Sequence, residues 1–465
     1  MARAFCCPAR LRIVGAGGAA LALVLAATGC DATEPTPSPV PASAPSPTAA
    51  APSPAAVPTP PPNREVPLPK VAVSVPTATQ AAHPLTASPE LTKARARLAK
   101  AVKDHGRDPS NPWAIGHSML ALGADLELTN GTQAIDHLFA TYAETVDVGG
   151  DGPGDDPGVA FPKSRGDIRI EPHSDLVLKA LVEGGVGPER AVTVVGTPRT
   201  VLGLYRHSLH RTWVTGSGGR YRTSLSNMND TPWALQALST WAPEGYSWTA
   251  IGGHDMTMDA FAEAGLVELE QASAALMQAK ARGVMPGKDG KGILAYTCGG
   301  QHLIQGVAHA VARGFGPEDG PERVCAQRDL LRWRIDHELG TLDPILASEQ
   351  GQGRPVAIVL QDQRLKFVGH ALETLSKFDA YGLCEWTEAD AKARDRLGVE
   401  IVRSVEALDA LGVFADLQAV RHNKALDPFR ANSGGAEQVY LDLLGDSAHT
   451  VRGIDLATGK GTIAF

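Results

Sequence analysis

Asn229-Asp230-Thr231-Pro232-Trp233 runs straight into Ala234-Leu235-Gln236-Ala237-Leu238, and this stretch decides the fold. A polar or Gly/Pro stop is followed by a helix that is apolar on most faces, which marks a buried helix. Four other stretches repeat the pattern. Asn111-Pro112-Trp113-Ala114-Ile115-Gly116-His117 leads into residues 118–122, and Glu171-Pro172-His173 leads into 175–181. Cys298-Gly299-Gly300-Gln301-His302 leads into 303–307, and Phe367-Val368-Gly369-His370 into 371–375. The markers at 117, 173, 233, 302 and 370 are 56, 60, 69 and 68 residues apart. Each interval has room for one more helix, and amphipathic helices are read at 91–105, 198–213, 256–282, 324–339 and 388–411. A sixth unit starts at Gly434 and runs to about 444. Asn130-Gly131 and Ala457-Thr458-Gly459 are turn signals, and 452–465 reads as a short β-hairpin.

Helix pairs with one buried and one exposed member close readily into a ring. The expected fold is all-α: an α/α toroid of about six helical hairpins over residues 89–465, with small β-hairpins in its loops. It resembles the α/α toroid of terpenoid cyclases, protein prenyltransferases, complement thioester domains and several polysaccharide lyases. Residues 230–238 resemble the prenyltransferase-type repeat, with Asp and Thr before an Ala/Leu helix. The resemblance covers about 90–450 as architecture, so it implies a fold and not an activity. An open α-solenoid would use the same helix pairs.

A helix N-terminus offers free N–H groups and partial positive charge, which suits polar or anionic ligands. The starts of the inner helices carry His117, His173, Trp233, His302 and His370, with Glu171, Asn227, Asn229, Asp230 and Gln301 beside them. Histidine at one repeat position in four units points to a shared polar funnel. Chemistry on a polysaccharide or cell-wall polymer fits this set. A lyase needs a base near a carboxylate and a group that neutralises the carboxylate. His117 or His173 would be the base, with Asn227 and Asn229 holding the acid group. Glu171 and Asp230 would instead form an acid and base pair for hydrolysis. Trp233 is placed to stack on a sugar. A non-catalytic envelope-binding or scaffold module would keep the same caps and turns. His207 and His210 fall on an outer helix and read as surface residues.

Cys298 and His302 are four apart, on one face if the helix has begun, and His370 takes the matching place in the next unit. One Cys and two His suit zinc with an open position. Protein prenyltransferases and lanthionine cyclases resemble this in carrying zinc inside a toroid with Cys and His ligands. The chain departs from both. Tyr296 stands where the prenyltransferase ligand Asp would be, and the adjacent Cys-His pair of the cyclases is absent. Cys298-Gly299-Gly300-Gln301 also resembles the Cys-Gly-Glu-Gln of complement-like proteins, which implies an internal thioester between Cys298 and Gln301. The Glu of that motif is Gly300 here.

The N-terminus gives the compartment. Arg3, Arg10 and Arg12 precede an apolar run at 13–27, which suits a signal peptide over residues 1–29. It ends in Leu25-Ala26-Ala27-Thr28-Gly29-Cys30, which resembles a bacterial lipobox, with Ala27 where Leu is usual. That resemblance implies lipid on Cys30 and an anchored protein in the cell envelope, facing the periplasm or the exterior. Residues 30–88 are rich in Pro, Ala, Ser and Thr and cannot bury a core, so they read as a disordered tether. Thirty residues in polyproline II reach on the order of 90 Å. The net charge is −8 with no basic stripe, which argues against nucleic acid as a partner. Cys298, Cys325 and Cys384 remain in the domain. Their odd number leaves at least one outside any disulfide.

Overall fold

The computed structural model describes residues 73–465, except 75, 147–157, 218–219, 226–229, 287–291, 350–352 and 432–433. The signal peptide, Cys30, most of the tether, Asn227 and Asn229 lie outside the described residues. The described chain is mainly helical with small strand pairs, as the repeat pattern requires.

Thirteen α-helices are described. They are α1 (Pro89–His105), α2 (Pro112–Leu122), α3 (Ala134–Tyr142), α4 (Leu176–Glu183), α5 (Val201–Arg211), α6 (Thr231–Trp241) and α7 (Met258–Arg282). After these come α8 (Gln301–Ala312), α9 (Gly320–Glu349), α10 (Arg354–Tyr381), α11 (Glu388–Ala410), α12 (Leu417–Arg421) and α13 (Ala436–Ala457). Their starts follow local chemistry. The Ser88 hydroxyl accepts from Leu91 N at 3.1 Å, with Pro89 in the first helical position. Thr387 and Asp390 form a capping box for α11.

Four sequence expectations shift. Asn111 caps Ala114 N at 3.1 Å and Pro112 opens α2, so Trp113–His117 are the helix's first turns and not its lead-in. Phe367-Val368-Gly369 is no stop, because α10 runs unbroken through it. Gly369 instead lets α13 come close: a Cβ there would lie 2.0 Å from Thr450 Oγ1. The expected hairpin at 452–465 is not formed. Residues 452–457 complete α13, and Ile463–Ala464 pairs antiparallel with Ala78–Thr79. Those two residues lie in the stretch read as tether. Nearby, Leu85 N donates to Ala457 O at 2.6 Å, so the chain is docked before α1 begins. Five other two-stranded antiparallel pairs occupy loops, from 144–146 with 158–160 to 247–250 with 254–257.

The most buried helices pack in order. α2 contacts α4, α4 contacts α6, α6 contacts α8, α8 contacts α10, and α10 contacts α13, which packs back on α2. α1, α7, α9 and α11 pack against this set, and α11 also meets α1. Apolar side chains gather in two large clusters, one within residues 115–378 and one joining 91–114 to 331–457.

Cys325 and Cys384 form a disulfide with a sequence separation of 59, and Cys298 stays outside it. Closing a loop of that length constrains the unfolded chain by about 2–4 kcal/mol. Reduction should therefore lower the melting temperature; an unchanged melting curve with the bond fully reduced would contradict this.

Candidate functional site

His117, His173, His302 and His370 come from four units and line one cavity, together with Trp233 and Cys298. Its volume is about 40 Å³. That holds roughly one to three water molecules and is far below the roughly 300 Å³ of the smallest enclosing ligand pockets. An ion with a water fits inside; a sugar ring does not.

Cys298 is placed by backbone geometry. Cys298, Gly299 and Gly300 are consecutive left-handed residues with φ of 56°, 62° and 77°. A non-glycine residue holds this conformation at a cost of about 1 kcal/mol, and the two glycines extend the turn freely. Arg334 Nη1 donates to Gly299 O at 2.9 Å and clamps it, itself paired with Glu338 at 2.7 Å. α8 starts only at Gln301, so Cys298 does not share a helical face with His302. The turn brings them together by another route. One donor atom each from Cys298, His302 and His370 lies within 4.8 Å of the others.

The imidazoles are prepared as neutral donors. His370 Nδ1 donates to Lys366 O at 2.8 Å, which leaves Nε2 with the lone pair; that atom has no partner among the described residues. His302 Nδ1 is likewise buried without one. His117 Nδ1 donates to Trp113 O at 2.9 Å. Burial pulls His302 and His370 well below the ordinary histidine range, and neighbouring rings push the same way. Burial, with His449 beside it, takes His117 down to about 3. Neutral imidazole is the metal-binding form.

The expected acid and base pair is placed differently. Glu171 Oε1 accepts from Val177 N at 2.8 Å and so caps the start of α4. Burial, then Asp175, pushes its carboxyl up to about 8. Asp230 is fully buried and accepts from Ser174 N at 3.1 Å and Ser174 Oγ at 3.3 Å. Neither is among the residues lining the cavity. Gln301 Nε2 donates to Phe367 O at 3.0 Å. Trp233 is 2 % exposed and lies between His173 (5.5 Å) and His302 (4.6 Å), a wall of the cavity more than an open stacking face. His210, read as a surface residue, is 4 % exposed because α5 packs between α6 and three of the strand pairs.

The sixth unit expected from Gly434 is formed, but its helix runs on to Ala457 and carries site residues that the sequence did not single out. His449, Asp442 and Asp446 of α13 line the cavity with Lys366 of α10. Lys366 Nζ is 3.8 Å from Asp442 and 3.5 Å from Asp446. Burial raises Asp446 well above the usual carboxyl range and takes Asp362 up to about 7. The six-unit count did require a helix here. The expected segment ended near 444, short of His449. An outer cleft of about 330 Å³ shares Arg169 and Gln438 with the cavity.

Comparison with protein-family models, curated proteins and solved structures returns no match.

Proposed function

We propose that this is an exported, lipid-anchored α/α-toroid protein that holds zinc in its funnel through Cys298, His302 and His370. On this reading it uses the ion to cleave a cell-wall or environmental polysaccharide. The observation that carries the reading is the convergence of one thiol and two neutral imidazoles, from separate repeat units, within 4.8 Å. The cycle of contacts from α2 through α13 and back supports ring closure. The Cys325–Cys384 disulfide fits an oxidising compartment. Zinc would polarise a substrate oxygen or activate water. The polymer would lie in the outer cleft and present one bond to the funnel, because the cavity itself holds only an ion and a water or two. His117, with Nε2 left as acceptor, and the Asp446 carboxyl, both in the cavity wall, would move protons there.

The test is elemental analysis of the full chain purified in detergent, followed by turnover assays on wall polymers. One zinc per chain is expected, lost in His302→Ala and His370→Ala. No stoichiometric metal in the wild type sinks the site. Metal without turnover of any polymer leaves a binding module and sinks the enzyme.

A further inference from the structure

We infer that His449 is a ligand of the same ion, so that three histidines form the primary metal-binding face and Cys298 is the fourth and most replaceable ligand. This rests on the metal reading above.

The rings of His302, His370 and His449 are mutually close. Their centroids are 4.8 Å apart for His302–His370, 4.8 Å for His302–His449 and 4.3 Å for His370–His449. A metal–nitrogen bond of about 2.0–2.1 Å puts each ring centre about 3 Å from the ion, so three tetrahedral imidazoles have centres about 5 Å apart. The observed triangle is close to that size.

Hydrogen bonding points the same way. His449 Nδ1 donates to Glu373 Oε2 at 2.8 Å, which fixes the tautomer and leaves Nε2 as the donor atom. A metal-binding histidine commonly carries such a carboxylate behind it. His302 Nδ1, His370 Nε2 and His449 Nε2 are all buried without a partner among the described residues. A buried polar atom left unmatched is costly, and three in one cluster are answered together by one cation. The three rings stand on α8, α10 and α13, three helices that pack on one another in sequence. Cys298 stands on a left-handed turn outside any α-helix. Each of the three rings is thus held on a helix, although the donor atoms within 4.8 Å of one another are those of Cys298, His302 and His370.

X-ray absorption of the zinc-loaded full chain counts ligands directly. Scattering from three imidazoles and one sulfur is expected. Zinc affinities of His449→Gln, His449→Cys and Cys298→Ser give the second measure. His449→Gln should weaken binding 100-fold or more, and His449→Cys, which restores a donor, should recover most of it. Cys298→Ser should lose less than 10-fold. Two imidazoles in the wild type, or wild-type affinity in His449→Gln, overturn the role of His449 and leave the Cys298/His302/His370 site standing. Loss of metal from Cys298→Ser alone also overturns the inference. If the wild type binds no zinc, the metal reading itself falls.

Discussion

Replacing Glu183 with Gln lowers folding stability by about 3–5 kcal/mol, the range for removing one partner from a buried ion network. Glu183 lies 3.1 Å from Lys179, 2.5 Å from Lys377 and 3.6 Å from Arg452, and accepts from the Gln236 amide. Glu373 reaches Lys377 at 3.0 Å and Arg452 at 3.7 Å. Two carboxylates thus face three buried cations, and the substitution leaves one carboxylate for all three. Burial already pulls the Lys179 ammonium down to about 8, so its charge is kept against a desolvation cost. Burial also raises both carboxyls, but Lys179, Lys377 and Arg452 around Glu183, and Lys377 and His449 around Glu373, outweigh it and hold both below their ordinary value. The sign follows. A lowered carboxyl contributes stability in full above its unfolded pKa of about 4.3 and loses it as pH falls toward the folded value. Wild-type stability should drop steeply below about pH 4, and Glu183→Gln should drop less steeply there. Denaturant unfolding at pH 7 and across that acid range checks both. A loss under about 1 kcal/mol at pH 7 would refute the network's role. Exchanging Lys179 and Glu183 together for Met and Leu should recover part of the loss, since it removes one charge of each sign.

These residues explain what was legible in the sequence. Apolar runs after Pro or Gly showed where buried helices lie, and four histidines at one repeat position do reach one cavity. The marker idea worked for position and failed for cause. His302 lies at a helix start, but His117 and His370 sit inside helices that begin earlier. Lys179, Glu183, Glu373 and Lys377 stand four apart in pairs, a spacing that reads as a solvated face. Only the packing of the helices on one another buries that face. His449 carried no stop or turn before it, and its role depends on which residue of α10 it meets across the helix pair. Glu171 and Asp230 looked free in sequence because their backbone partners are set by the turn at 171–177.

That helix pair gives the most disruptive substitution. A Cβ at Gly453 would lie 2.9 Å from Glu373 N and 3.0 Å from Gly369 O, both backbone atoms of α10. Neither can rotate away, so one helix must move. Helix propensity alone favours Ala over Gly by about 1 kcal/mol, which predicts a more stable Gly453→Ala. Overpacking of about 1–3 kcal/mol acts against it, and here the obstacle is backbone, so the upper end applies. We expect Gly453→Ala to lose about 1–2 kcal/mol net and Gly453→Val more than about 3 kcal/mol. The site should report the same displacement. Glu373 holds His449 at 2.8 Å, and His370 lies 4.3 Å from His449 across this contact. A shift of a few tenths of an ångström separates two imidazoles that are proposed to share one ion. Gly453→Ala should therefore weaken zinc binding although residue 453 touches no ligand. A variant as stable as the wild type would show that α13 can slide past α10. Unchanged zinc affinity in a destabilised variant would show that the imidazoles are positioned by something other than this contact.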